Sequence, residues 1–238
     1  MNFADLDLDP RLLTALEQQH FYKPTPIQQA AIPELMDGKD VLAGAATGTG
    51  KTAAFVLPAL QHLIDYPKTT RWPRILMLAP TRELALQIRT VVRELSANMQ
   101  VRSMLISGGF AQNKQIDNLS NAFQILIATP GRLLNLLQQE EVELSDLEMV
   151  IIDEADRMLD MGLGPDVYSL LDAIPGDFQA ALFSATLAGG GIHKFAENIL
   201  DEPTVIQVDA ANQQSAQVQQ SLYFADDRLH KQQLLKAL

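Results

Sequence analysis

Two stretches of this chain carry residue types at spacings that could handle a triphosphate. Ala45, Ala46, Thr47, Gly48, Thr49, Gly50, Lys51 and Thr52 put two glycines, a lysine and hydroxyls in one short run. Gly48 and Gly50 let the backbone curl so that successive N–H groups point inward. With the helix N-terminus that follows, they make an anion cradle. Lys51 can reach the β- and γ-phosphates, and the Thr52 hydroxyl can ligate Mg2+. Farther along, Asp153, Glu154, Ala155 and Asp156 follow the apolar run Val150–Ile152. Asp153, at the C-terminal edge of a strand, can hold Mg2+ through water, and Glu154 can position and deprotonate an attacking water. Two acids at a helix start can also merely complement its dipole. The loop upstream favours the chemical reading, so the pair predicts binding of ATP with Mg2+.

Other residues have competing readings. Thr25 and Gln28 fit a capping box, which accounts for Gln28 structurally. An amide also offers one donor and one acceptor, which matches the N6 and N7 of adenine, and Phe21 could stack on such a base. The residues alone favour the cap. Thr81-Arg82-Glu83 and Thr129-Pro130-Gly131-Arg132 share a design. Each follows a predicted strand and opens a predicted helix with a Thr cap, free amides and an Arg. Two such positive ends on one sheet edge could hold successive phosphates, with Ser107-Gly108-Gly109 as a third amide-rich turn. Ordinary capping explains each of them singly. Ser184-Ala185-Thr186, at a strand end, could bond Asp156. His20, His62, His193 and His230 lack metal-ligand spacing and read as structural or surface residues.

The elements that must position these residues are legible as short β-branched runs alternating with helical patterns. The runs are Val41–Ala43, Ile75–Ala79, Met104–Ile106, Ile125–Ala128, Met149–Ile152, Ala180–Phe183 and Val205–Val208. They are nearly continuous in apolar character rather than alternating, as strands buried on both faces are, which predicts an α/β fold with a parallel sheet covered by helices on each side. Leu84, Ile88, Val91, Val92 and Leu95, like Leu133, Leu134 and Leu137, recur at helical spacing between strands. Asp9-Pro10 predicts one N-terminal helix start and Thr25-Pro26 a second. Pro33 is expected to interrupt that second helix and Gly38 to end it. Asp209 to Gln220 reads as a linker.

Composition bounds the function. With 47% apolar and 20% charged residues, the chain suits a globular protein, and no run is long enough to span a bilayer as a helix. There is no cysteine and no basic N-terminal region, which excludes disulfides and points to the cytoplasm. A net charge of −11 argues against gripping nucleic acid by a broad basic surface. Any such site must be local, built from a few Arg residues and backbone amides.

In their order, these pieces resemble the DEAD-box RNA helicases over nearly the whole chain. Phe21-Tyr22-Lys23-Pro24-Thr25-Pro26-Ile27-Gln28 resembles the Q motif, with Phe3 as its upstream aromatic. Ala45 to Thr52 resembles motif I, Pro80 to Ala85 motif Ia, Gly108-Gly109 the GG turn and Thr129 to Arg132 motif Ib. Asp153 to Asp156 resembles motif II, and Ser184 to Thr186 motif III. Leu57 to Leu63 is similar to the bacterial SrmB-like branch, associated with ribosome assembly. The resemblance implies a RecA-like P-loop NTPase domain. It assigns catalysis to Lys51, Asp153 and Glu154, and Mg2+ to Thr52 and Asp153. It assigns the nucleotide to Phe21, Lys23, Gln28 and Ala46–Thr52. RNA backbone falls to Thr81, Arg82, Gly109, Thr129 and Arg132, and coupling of ATP state to RNA state to Asp156, Ser184 and Thr186. His20 stands where the family usually has Gly, and Ala46 where motif I often has Gln; modest effects are expected of both.

The resemblance also implies a second RecA-like domain carrying arginine fingers. The residues after Thr186 are too few to make one, and no His-Arg-x-Gly-Arg pattern occurs. The expected organisation is a Q-motif segment at 1–38, a RecA-like domain at 39–208, and a linker at 209–238 whose Leu229 to Leu238 can supply the first turns of the next domain. A monomer that binds nucleotide and barely hydrolyses it is expected, since such fingers contribute about 10³ to 10⁵ in rate. Two rival readings remain: another P-loop ATPase acting on DNA, and a nucleotide-gated RNA- or protein-binding module without turnover.

Overall fold

Seven short strands form one sheet: β1 (Val41–Ala45), β2 (Ile75–Leu78), β3 (Ser103–Ile106), β4 (Ile125–Ala128), β5 (Met149–Ile152), β6 (Gln179–Ser184) and β7 (Thr204–Val208). Their spatial order is β3-β4-β2-β5-β6-β1-β7, and every neighbouring pair is parallel. The computed structural model describes residues 1–109, 119, 121–208, 227 and 232. The chain divides into two units, Met1–Val208 and Asp209–Leu238. The predicted linker and the predicted first turns of a further domain lie outside the described residues, Asp227 and Gln232 apart.

Alternation along the strands builds two cores. Val41, Ala43, Ile75, Met77, Ile127, Ile151 and Phe183 face one side. There they meet α1 (Pro10–Gln18), α2 (Pro26–Met36), α3 (Lys51–Asp65) and α4 (Arg82–Leu95). Leu42, Leu76, Leu126, Val150, Ile152 and Leu182 face the other. Those residues meet α5 (Pro130–Gln138), α6 (Ala155–Asp160), α7 (Gly164–Leu171) and α8 (Gly190–Glu197). Burial on both faces is why the inner strands β1, β2, β4, β5 and β6 read as unbroken apolar runs, whereas the edge strands β3 and β7 are partly exposed. No helix among the described residues is long and apolar enough to cross a membrane.

The N-terminal segment belongs to the first core: Phe3, Leu12, Leu16, Ile27 and Ile32 are buried with β1. The expected break at Pro33 does not occur, and α2 continues through it to Met36. Proline removes one backbone hydrogen bond and crowds the preceding turn. Burial of Ile27, Ala31, Ile32 and Leu35 on one face holds the helix together across it. The end is as expected. Gly38, at φ 79°, donates its N–H to the Leu35 carbonyl, and Lys39 donates to Glu34, which is a Schellman closure.

Because all strands are parallel, the turns after them line one edge of the sheet. Read across that edge, they run from Ser107-Gly108-Gly109 (β3) through Thr129 (β4), Thr81 (β2), Asp153 (β5) and Ser184–Thr186 (β6) to Ala46–Gly50 (β1). Ligands of open α/β sheets bind at this carboxyl edge.

Candidate functional site

The phosphate loop joins β1 to α3. Gly48 and Gly50 hold φ values of 80° and 90°, the left-handed region that glycine alone enters without strain. Gly50 is the N-cap of α3, and no side chain caps that helix. Its first N–H groups are therefore left for an anion. Lys51 is buried and donates from Nζ to the Ala45 carbonyl at 2.7 Å. Thr49 Oγ1 donates to the Ala46 carbonyl at 2.7 Å, and Thr52 is half-buried on the first turn.

Gln28 reaches this loop from α2. Its Oε1 accepts from the Thr25 N–H at 2.9 Å, and its Nε2 donates to the Gly50 carbonyl at 3.0 Å. The side chain is buried, and a Cβ at Gly50 would lie 2.5 Å from Nε2. Capping and loop contact use one acceptor site and one donor of the amide, so one of each remains for a base. Phe21 and Lys23 are exposed just after α1.

The acidic box follows β5. Asp153 is only 3% exposed, and its Oδ1 accepts from the Glu154 N–H at 2.9 Å. Burial pushes its carboxyl up to about 6, against the opposing charge of Lys51. Glu154 caps α6 at φ 52°, a left-handed conformation that costs a non-glycine residue about 1–2 kcal/mol. Such strain clusters at functional sites. Its carboxylate accepts from Arg157 Nη1 at 3.2 Å.

These residues fit a divalent cation. A buried carboxylate whose charge is disfavoured by burial gains from a cation beside it. Among the described residues no group of three or more His, Cys, Asp or Glu could hold a metal. Asp153 and the Thr52 hydroxyl would therefore hold Mg2+ in company with phosphate oxygens and water, as this ion prefers.

Strand β6 lies between β1 and β5 and physically joins the two halves. Gly44 pairs with Ser184 in register. Ser184 Oγ donates to the Thr186 carbonyl at 2.7 Å, and the Thr186 N–H donates to Asp156 Oδ2 at 3.3 Å. Leu187 packs over Gly44, where a Cβ would sit 2.6 Å from its Cγ.

The basic turns gather at the other end of the edge. Arg82 donates from Nη1 to the Gly109 carbonyl at 3.4 Å, and Thr81 Oγ1 accepts from the Leu84 N–H at 3.3 Å. Thr129 makes no such side-chain cap, against expectation; Pro130 at the first helical position already fixes the helix start. Arg82, Gly108, Thr129, Arg132 and the exposed Met161 line one cavity of about 360 Å³.

Residues 25–195 match the DEAD/DEAH box helicase family. The chain belongs to that family. It is 45% identical over 98% of its length to the ATP-dependent RNA helicase SrmB of Escherichia coli, of which it covers 53%. It is 44% identical to SrmB of Haemophilus influenzae, again covering 53%. It is 43% identical over 92% of its length to a probable ATP-dependent RNA helicase ddx27 of Dictyostelium discoideum, covering 28%. The chain thus spans about half or less of the curated relatives it matches.

Membership explains His20. It sits at φ 61° as the residue closing α1, with Phe21 N–H bonded back to the Leu16 carbonyl. The DEAD-box habit of glycine there is what a left-handed closure favours. Sequence reading missed two residues that this DEAD-box edge uses. Gly44 carried a signal, since a glycine inside a strand marks a close approach. Arg157, three residues after Glu154, carried the spacing of a helical ion pair.

Proposed function

We propose that this chain is the ATP- and RNA-binding first domain of an ATP-dependent RNA helicase acting in the cytoplasm. The observation that carries the reading is one sheet edge with the phosphate loop and acidic box a single strand apart, bridged by the Thr186–Asp156 bond, and the arginine turns beyond them. Backbone amides at Gly48–Thr52 and Lys51 bind the phosphates. Gln28 reads adenine with its remaining donor and acceptor, and Phe21 covers the base. Mg2+, when bound, neutralises phosphate charge. Glu154 orients water and takes its proton. Arg82, Gly109, Thr129 and Arg132 hold sugar-phosphate backbone, which carries little sequence information.

In the full-length protein, closure of a second RecA-like domain over this edge completes hydrolysis and bends the RNA. Lys51 is held by the Ala45 carbonyl and Glu154 by Arg157, so both must be drawn off before chemistry. Calorimetry with ADP, GDP and Mg2+ tests the reading. ADP should bind in preference to GDP, and Lys51→Ala should abolish both. No heat with ADP at millimolar concentration would sink it, and equal use of guanine together with DNA stimulation of the full-length protein would favour a different P-loop ATPase.

A further inference from the structure

One flank of α4 carries a row of cations. Arg82, Leu86, Arg89 and Arg93 recur at i, i+4, i+7 and i+11, so they share one stripe, while Ala85, Ile88 and Val92 face the core. The stripe is about 16 Å long at 1.5 Å per residue. Leu86, Arg89 and Arg93 are exposed. Where α4 ends, the chain turns into β3 and brings up the exposed Arg102. Arg89 and Arg102 line the same cavity of about 240 Å³, with Ser103 and Met104 between strand and helix. Among the described residues, the side chains of Arg89, Arg93 and Arg102 make no ion pair. The glutamates of the helix, Glu83 and Glu94, lie about a quarter-turn or more round from the stripe.

Three exposed arginines without an ion pair among the described residues, Arg89, Arg93 and Arg102, brought to one flank are unexpected on a chain of net charge −11. Like charges set side by side repel, and a polyanion laid along them relieves this. The row is also continuous with the turn where Arg82 meets Gly109. We propose that the α4 stripe extends the RNA path: a strand leaving the Arg82–Gly109 turn continues down α4, its phosphates facing Arg89, Arg93 and Arg102. The inference rests on the RNA reading of Arg82 given above. Contacts of this kind add affinity and salt dependence without sequence preference.

The test is fluorescence anisotropy of the chain with labelled oligouridylates of about 6 and about 20 nucleotides, across a salt series. The triple variant Arg89→Gln, Arg93→Gln, Arg102→Gln changes exposed side chains only, and its melting temperature should match wild type. It should keep wild-type affinity for the short strand. For the long strand, the slope of log affinity against log salt should fall by about 2, at roughly 0.7 per lost phosphate contact. Arg82→Gln should weaken both lengths. Unchanged affinity and slope for the long strand in the triple variant would overturn the extended path and leave the Arg82 site standing. A wild-type chain that holds neither strand at low salt would bring down the RNA reading, and this inference with it. Unchanged RNA binding with loss of poly-glutamate binding would give the stripe to an acidic protein instead, and overturn the proposal.

Discussion

Gln28 ties the start of α2 to the end of the phosphate loop: Nε2 donates to the Gly50 carbonyl while Oε1 accepts from the Thr25 N–H. One buried amide thus fixes a helix start and a loop apex distant in sequence. Gln28→Glu separates these tasks. The carboxylate still accepts from Thr25 but sets oxygen against oxygen at Gly50. ADP affinity should fall at least about tenfold, or about 1.4 kcal/mol, with helix content retained. Calorimetry with ADP and GDP reads the result. A fall for both marks a clasp on the loop, a fall for ADP alone marks adenine recognition, and no fall reduces Gln28 to a cap.

Gly44 and Leu187 link the phosphate-loop strand to the turn that bonds Asp156. A methyl at Gly44 would meet Leu187 Cγ at 2.6 Å, so Gly44→Ala must displace that side chain and the turn before it. Overpacking of this kind costs about 1–3 kcal/mol. Leu187→Ala opens the space, and the double variant should recover much of the Gly44→Ala loss. A cycle measured by urea unfolding should give a coupling of about 1 kcal/mol or more. Strict additivity would mean that the two sites do not press on each other.

The strands were legible as short apolar runs because β1, β2, β4, β5 and β6 lie inside the sheet and are covered on both faces, and the turns after them stand out by their glycine, threonine and charged residues. Asp153 and Lys51 fall on one edge because each follows the C-terminal end of a run read as a strand of a parallel sheet. Pro33 misled because proline's effect is local, whereas the burial of Ile32 and Leu35 that holds α2 is tertiary. The α4 stripe is hard to read for a related reason: apolar periodicity marks only the core face of a helix, and Arg82, Arg89 and Arg93 hold the same period on a different flank. The engagement of Lys51 with the Ala45 carbonyl has no sequence signal, since it depends on where the loop folds.

Asp153 makes the apo protein sensitive to pH. Its folded-state carboxyl is raised from 3.8 to about 6, so the folded state takes up a proton more readily than the unfolded chain. Stability from this group is highest below pH 4, falls as pH rises towards 6, and stays reduced above it. The loss is on the order of 3 kcal/mol. Asp153→Asn removes the charge at constant shape. Without nucleotide, it should melt several degrees above wild type at pH 7.5 and show no advantage near pH 4. Equal melting curves at pH 7.5 would show that Lys51 fully offsets the burial of this carboxylate.

Glu148 does the opposite work at the far edge of the sheet. It accepts from Arg74 Nη2 at 2.6 Å, from Lys68 Nζ at 2.7 Å, and meets His62 Nε2 at 2.7 Å. Burial opposes its charge, but these three partners together hold its carboxyl at about 2. The stabilisation is complete above pH 4.5 and is lost as pH falls towards 2. Arg74 is only 1% exposed, so Glu148→Gln would leave a buried guanidinium without its counter-charge. The expected loss is roughly 3 kcal/mol, the low end for breaking a buried pair, because Glu148 itself retains 21% exposure. Urea unfolding at pH 7 measures it, and the stability gap between wild type and variant should narrow as pH falls from 4.5 to 3, where wild type loses the Glu148 contribution. ADP affinity of the folded variant should match wild type, since Glu148 precedes β5 and Asp153 follows it at the opposite end of the strand.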